Sequence, residues 1–473
     1  QSMLSTLPSS PSDLFASQLP TALAWRKSTL QERKERLIKL LNWINSHQEA
    51  IQEALWLDFN KPASEVDLNE IFPVTAEIKH SLKNLATWMK PQSQPTPLPM
   101  LGTSAFVVAE PKGRALLISP WNFPFNLAIG PLVAALAAGC TAILKPSEHA
   151  PHTAQLVQDL VSELFAPHEV AVCLGEKEVA SELLSLPFDH IFFTGSPAVG
   201  KQVMAEAAKN LSSVTLELGG KSPVVIDSTA DLKRAANSIC FGKFANNGQT
   251  CIAPDYVYVH QSVKQEFLSA MTNAIEEKYG SQQDLISNSD YCRIVNQGHY
   301  ERVSGLIKSA VDDGASVYKG GNCIDSQRFV PPTILTEVNP GSEIMQQEIF
   351  GPVLPVLEFS DIDKVIATIN SNPKPLALYV FSKQKQFANK VIEKTSAGDS
   401  AINATVIHIL HQNLPFGGVN NSGIGKVGGI WGYQAFSHQR SIVDDKLGLS
   451  GMLSPPYTPK VKRMVKSAIR FLT

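Results

Sequence analysis

The chain reads as an α/β protein built from two strand–helix units. Strand-like and helix-like pieces alternate from Gly113 to Gly220, and a second alternating series begins after Glu217. Length points the same way, because 473 residues exceed what one hydrophobic core serves and call for two or three domains. Apolar residues make up 44 % and charged residues 18 %, which excludes a disordered chain. A net charge of −2 leaves no basic excess, so no nucleic-acid partner is expected. Six cysteines with no C-x-x-C pair make neither a disulfide framework nor a zinc cluster. They fit a reducing, cytoplasmic setting, and no metal is expected.

Taken in order, residues 1–3 look like a cleaved-tag remnant ahead of a native initiator. Pro8, Pro11 and scattered serines follow, with no signal peptide. Residues 29–58 predict one long amphipathic helix, since Leu37, Leu40, Leu41, Ile44, Ile51 and Leu55 recur at helical spacing. Pro91, Pro95, Pro97 and Pro99 mark an extended segment. Strands are then expected at 115–119, 141–144, 170–173 and 190–194, with helices at 127–138, 152–165 and 199–208. The stretch 127–138 is too short, and too interrupted by Gly130 and Pro131, to span a bilayer. The second series predicts strands at 223–226, 255–259, 353–359 and 377–381, and helices at 232–244, 263–274 and 362–370. Parallel β-α-β units of this kind take ligands at the carboxyl ends of their strands.

Cys251, in Phe244-Ala245-Asn246-Asn247-Gly248-Gln249-Thr250-Cys251, stands on the loop after a predicted helix. A lone cysteine is usually a small core hydrophobe. Here small and amide residues precede it, which suits a tight backbone around a reacting atom. Glu217, in Glu217-Leu218-Gly219-Gly220-Lys221, supplies a carboxylate, and Asn122, in Pro120-Trp121-Asn122-Phe123-Pro124, an amide. A thiol, a base and an oxyanion donor are the minimum for covalent acyl chemistry. Gly195, Ser196 and Gly200 follow a strand and open a helix, as a phosphate loop does. Gln202 stands where a P-loop needs Ser or Thr, and the middle glycine of the dinucleotide fingerprint is missing, so a plain strand-to-helix turn is the alternative. Lys145 can donate to a ribose hydroxyl or a phosphate, and Glu148 can accept from a ribose; a solvated strand end is the alternative. Glu348 can hold a second ribose and Phe350 can pack on a nicotinamide, against the plainer reading of a surface turn.

These pieces, with Lys145-Pro146-Ser147-Glu148, Phe193-Thr194-Gly195-Ser196, Glu348-Ile349-Phe350-Gly351-Pro352, Pro415-Phe416-Gly417-Gly418 and Asn421-Ser422-Gly423, occur in the order found in the aldehyde dehydrogenase superfamily. The resemblance covers roughly residues 10–445. Gln249-Thr250-Cys251-Ile252-Ala253-Pro254-Asp255-Tyr256, Phe436-Ser437-His438-Gln439-Arg440 and Pro455-Pro456-Tyr457 resemble the class 3, fatty-aldehyde-type branch. Asn247 departs from it, standing where many relatives place a second cysteine that is not the nucleophile.

The resemblance implies a Rossmann-like cofactor domain over 4–101 and 113–218 and a second α/β catalytic domain over 219–415. It also implies a small β oligomerisation arm over 102–112 and 430–445, and an amphipathic tail over 455–473. It implies oxidation of an aliphatic, medium- to long-chain, or aromatic aldehyde to the carboxylic acid, with NAD or NADP as cofactor. Cys251 would form the thiohemiacetal and thioester, Asn122 and the Cys251 N–H would hold the oxyanion, and Glu217 would activate water. Trp121, Lys145, Glu148, Gly195, Ser196, Gly200, Glu348 and Phe350 would hold the cofactor. Phe123, Phe241, Asn403 and Phe416 would line the aldehyde's path. A homodimer is expected through the arm. A cysteine hydrolase is the rival class, but no histidine stands in a recognisable motif near Cys251. A CoA-acylating enzyme is disfavoured by Glu217, and a silent relative by the three catalytic candidates together. In the tail, Val461, Met464, Val465, Ala468, Ile469 and Leu472 make an apolar face among Lys460, Lys462, Arg463, Lys466 and Arg470. That face predicts docking on a partner subunit or on a membrane surface.

Overall fold

The computed structural model describes residues 10–471. The expectations at residues 1–8 and at Leu472 lie outside the described residues. Three sheets organise the chain. The first has six strands in the order Gly423–Ile424, Ser213–Glu217, His190–Thr194, Arg114–Ile118, Thr141–Lys145 and Val170–Val172. Its neighbours are parallel except for the Gly423–Ile424 pairing. Side chains alternate across it as the pleat requires. In its central strand Leu116 packs with Ile143 and Ile191 on one face, while Ala115 and Leu117 join the cluster containing the helix Asn126–Ala138 on the other. The chain runs outward from Arg114–Ile118, then returns to the opposite side at His190–Thr194. That reversal opens a crevice at the carboxyl ends of these two strands.

The second sheet has seven strands, in the order Ser316–Lys319, Thr333–Thr336, Val353–Phe359, Tyr256–His260, Pro223–Ile226, Ala377–Phe381 and Asp399–Ile402. All neighbours except the first pair are parallel. The sequence reading placed the ligand at the strand carboxyl ends of the first unit and Cys251 on the loop after a helix in the second. In the second unit Cys251 and Glu348 precede the strands Tyr256–His260 and Val353–Phe359, at the amino edge. The chain explains this: it leaves the first sheet at Glu217 and enters the second at Pro223 after a short turn, so a carboxyl edge faces an amino edge.

The third sheet is antiparallel, with Gln92–Gln94 and Ser437–Asp445 flanking Thr103–Pro111. The proline-rich segment thus contributes one short strand to the expected arm. The predicted single helix over 29–58 is two helices, Leu30–Ser46 and Gln48–Phe59. His47 breaks it at φ −125, ψ 24, with its ring stacked on Trp43 at 3.9 Å. Thr29 and Glu32 form a capping box at the start, and left-handed Asn60 ends the second helix. Several elements were not anticipated, among them the helices Phe72–Met89 and Gln297–Asp312 and the strand Ser213–Glu217 that carries Glu217. No described helix is long and apolar enough to cross a membrane.

Candidate active site

The loop carrying Cys251 is built by an unusual run of backbone. The helix Leu232–Phe244 ends, and Asn246 (φ 53), Asn247 (φ 54) and Gly248 (φ 72) follow in left-handed conformations. Asparagine and glycine tolerate that region best. The amides then fasten the loop. Asn247 Nδ2 donates to the Cys292 carbonyl at 2.6 Å, and Gln249 Nε2 donates to the carbonyls of Asn246 and Arg293 at 3.0 and 3.1 Å. Asn247 therefore has a structural task of its own. Cys251 follows, half-buried, and the next residue, Ile252, accepts the Tyr379 hydroxyl at 2.7 Å.

Asn122 reaches this loop from the first sheet. Its Nδ2 donates to the Gln249 carbonyl at 3.1 Å, two residues before the thiol. Glu217, at the carboxyl end of its strand, is buried. Its Oε1 has no hydrogen-bond partner among the described residues and lies beside the Gly417 backbone. Burial, then the nearby Asp399 carboxyl, pushes its pKa well above the ordinary value, against a smaller opposing effect of Lys426. Burial, then the carboxyls of Glu348 and Glu217, likewise pushes the Cys251 thiol well up. The thiol and both carboxyls thus share one electrostatic neighbourhood.

The remaining candidates are spread along the crevice. Trp121 packs edge-on to Phe350 at 5.4 Å and against His299 at 4.8 Å. Phe350 itself is left-handed, at φ 51. Arg302 fixes that turn by donating to the Ile349 carbonyl at 2.7 Å. Glu348 is half-buried with its carboxyl against Gly219, where an added Cβ would stand 2.4 Å from Oε2. Burial and Asp255 push its pKa up to about 8. At the end of its strand Lys145 pairs with Glu148 at 3.3 Å. Ser196 caps the helix Pro197–Ala208, its Oγ accepting from the Val199 N–H at 3.4 Å.

Four expected residues have other surroundings than the sequence suggested. Gly200 is buried inside that helix, and a Cβ there would strike Leu218 at 2.6 Å, so the glycine serves helix–sheet packing. The Gly195 N–H is spent on the Glu217 carbonyl at 3.0 Å, joining two strands. Asn403 binds the Ser382 backbone through both amide atoms, at 2.9 and 3.1 Å, and so latches two strand ends. Phe241 lies on the helix Leu232–Phe244 with 37 % of its surface exposed. Phe416 does pack against the cluster that includes Cys251, and Phe123 lies with its ring 4.4 Å from the Lys61 ammonium.

The aldehyde dehydrogenase family model matches residues 16–442. The chain belongs to the aldehyde dehydrogenase family. It falls in the class 3-like branch and is an oxidoreductase acting on aldehydes. It is 44 % identical over 431 residues to the 4,4'-diaponeurosporen-aldehyde dehydrogenase of Staphylococcus aureus, covering 91 % of this chain and 93 % of that one. It is 40 % identical over 436 residues to the dimeric NADP-preferring aldehyde dehydrogenase of Rattus norvegicus, covering 92 % and 95 %. A solved structure of the substrate-bound state of Staphylococcus aureus AldH superposes with a TM-score of 0.92 at 41 % identity, covering 96 % and 99 %.

Sequence reasoning missed several residues around this enzyme's site. His408 lies 5.9 Å from Phe416 and 6.0 Å from Tyr379, ring to ring. Burial lowers its pKa to about 4, and neither ring nitrogen has a partner among the described residues. Lys61, Glu65 and Glu70 contact the two loops from the N-terminal helices. No motif marks them, because their contacts cross from a segment far off in sequence.

Proposed function

We propose that the enzyme oxidises aldehydes to carboxylic acids with NAD or NADP, through covalent intermediates on Cys251. The observation that carries this is the meeting of Asn122, from the first sheet, with the Cys251 loop of the second, near the Glu217 carboxyl, whose Oε1 has no hydrogen-bond partner among the described residues. The Cys251 thiol gives up its proton to solvent, and the thiolate adds to the aldehyde carbon. The Asn122 amide and the Cys251 N–H hold the resulting oxyanion, each worth about 3–4 kcal/mol in comparable sites. A nicotinamide bound beside Phe350 would supply the hydride acceptor for that carbon, and Cys251 would then carry the thioester. Glu217 takes a proton from water, whose oxygen attacks the thioester and frees acid and thiol. An enclosed carboxyl with a raised pKa is the stronger base once ionised.

The residues present suit a dinucleotide. Lys145 and Glu148 offer a donor and an acceptor side by side, as vicinal ribose hydroxyls require, and Gly219 leaves the Glu348 carboxyl the space a side chain would fill. Trp121, Ser196, Glu348 and Phe350 complete the holding set. The substrate reading is an apolar aldehyde, medium- to long-chain or aromatic, because Phe416 and Cys251 pack against the same apolar cluster, which includes Tyr379. An aldehyde panel of rising chain length, assayed with NAD and with NADP, tests this. Reduced cofactor should appear with one or both, fastest with apolar aldehydes, and a preference for small hydrophilic ones overturns the substrate class.

Assembly as a homodimer is part of the reading. Ser437–Asp445 is a nine-residue strand at the edge of its sheet, with no further strand beside it among the described residues, and such edges invite a second copy. Sedimentation at micromolar concentration should give a dimer. The tail helix Pro459–Phe471 carries five basic residues and exposes Ile469 and Phe471. Deleting 459–473 should raise KM for long aldehydes if the helix covers a partner's funnel, or abolish binding to anionic vesicles if it rests on membrane.

A further inference from the structure

One N-terminal segment grips both loops of the proposed oxyanion site. It begins at Lys61, just past the left-handed Asn60, and ends in a five-residue π-helical turn, Asp67–Ile71. Such turns re-aim a side chain and collect at functional sites. Here the turn sends Glu70 into the interior, fully buried. Its Oε2 accepts from the backbone N–H groups of Phe125 at 3.0 Å and Asn126 at 2.7 Å. Its Oε1 accepts from Lys61 Nζ at 2.9 Å, and the pair has 0 % side-chain exposure on both members. Lys61 Nζ also donates to the Asn122 carbonyl at 3.0 Å. The pair therefore holds the Asn122–Asn126 loop at two points. The same segment holds the other loop: Glu65 Oε1 accepts from the Asn246 N–H at 2.7 Å, and Asn246 Nδ2 donates to the carbonyls of both Asn122 and Gln249 at 3.0 Å.

Stability is a poor reason for such a pair. Desolvation offsets most of its attraction, and replacing both members by neutral groups of like size is often harmless or stabilising. What the pair does determine is where the Asn122 backbone sits, and hence where its amide points. A misplacement of about 1 Å at a reacting group can cost about 10²-fold in rate.

We propose that Lys61 and Glu70 are positioning residues for the oxidation: they fix the Asn122 amide against the Cys251 loop without touching substrate. This rests on the reading of Asn122 as the oxyanion donor, and the test separates the two. The variant Lys61→Met/Glu70→Gln removes both charges, yet the glutamine keeps an acceptor for the Phe125 and Asn126 N–H groups. Its melting temperature should stay within a few degrees of the parent. Its pre-steady-state burst of reduced cofactor should slow about 10- to 100-fold. In an Asn122→Ala background the same double change should slow the burst less than about twofold, because the group it positions is gone. Wild-type burst kinetics in the double variant, together with a slow Asn122→Ala, overturns the positioning role alone. An equal loss in both backgrounds also overturns it, as the signature of general loosening. A wild-type burst in Asn122→Ala overturns the oxyanion reading and this inference with it. Should the double variant unfold, Lys61→Gln/Glu70→Gln, which is likewise neutral but keeps a hydrogen-bonding group at both positions, runs the same cycle.

Discussion

The two ends of the crevice use the same side chain in opposite ways. At the outer end Glu148 is exposed and pairs with Lys145. Partial burial pushes its pKa up, but its own backbone N–H, Lys145 and His149 outweigh that, and the net shift is downward. At the inner end burial dominates: Glu217 is pushed well up with Asp399 adding, and Glu348 to about 8 with Asp255 adding. A wet, paired carboxylate stays ionised at any working pH and suits recognition. A dry, crowded one holds its proton, which suits Glu217 to proton transfer and leaves Glu348 a neutral group able both to donate and to accept. Residue type therefore says little about role; solvent and neighbours set it.

The sharpest break of this comparison is at the inner end. Cys251→Ala should bind cofactor as the parent does and lose aldehyde oxidation by at least roughly 10⁴-fold, since no other group can form the covalent bond. Titrating cofactor binding by quenching of tryptophan fluorescence alongside turnover checks both halves. Appreciable turnover in the folded variant removes Cys251 from the mechanism.

Glu217→Gln comes next in size. It should leave the burst of reduced cofactor intact and lower the steady rate about 10²- to 10⁴-fold, because only thioester hydrolysis needs the base. In the parent, the raised pKa makes hydrolysis faster with rising pH until Glu217 is fully ionised; the glutamine variant should lack that rise. A variant with an unchanged steady rate would mean that another group activates the water.

How much of this was legible in the sequence follows from what each contact depends on. The strand–helix alternation was legible because each buried strand, such as Ala377–Phe381, is a continuous apolar run that local pattern marks by itself. Cys251, Glu217 and Asn122 were legible because their short motifs stand in a fixed order along the chain. The packing of Gly200 on Leu218 was not legible, since a glycine that admits Leu218 looks in sequence like one that admits a phosphate. The bonding of the Asn403 amide to Ser382 was hidden for a like reason, as that residue is joined to it only through the pairing of Ala377–Phe381 with Asp399–Ile402. The break at His47 was invisible because leucines keep helical spacing on both sides of it. Lys61 and Glu70 gave no signal, as their contact depends on a π-turn that shifts the helical register by one residue.

A smaller effect tests the outer end. Glu148→Gln keeps an acceptor but removes the charge. It should raise KM for NAD about tenfold with kcat nearly unchanged, the loss expected when a charged hydrogen bond becomes a neutral one. NADP should be affected less, since a 2′-phosphate is repelled by the carboxylate. Steady-state kinetics with both cofactors decides it, and a fall in kcat with KM unchanged would place Glu148 in the chemistry instead.

The smallest predicted effect is thermodynamic and returns to the inner end. Glu348 has a pKa of about 8 in the folded chain against an ordinary 4.5. Between those values the unfolded chain has released this proton and the folded chain still holds it, so stability falls as pH rises through the window. Above the folded pKa the deficit is complete, and below 4.5 it is absent. Glu348→Gln removes the titration while keeping an acceptor for the Gly220 N–H. Its melting temperature should match the parent near pH 5 and exceed it by a growing margin, on the order of several degrees, by pH 8 or above. Groups that titrate in both proteins, Glu217 among them, cancel in the difference. A margin that is flat from pH 5 to 9, or that shrinks, would mean the Glu348 carboxyl is ionised at neutral pH, and the contrast with Glu148 would then rest on Glu217 alone.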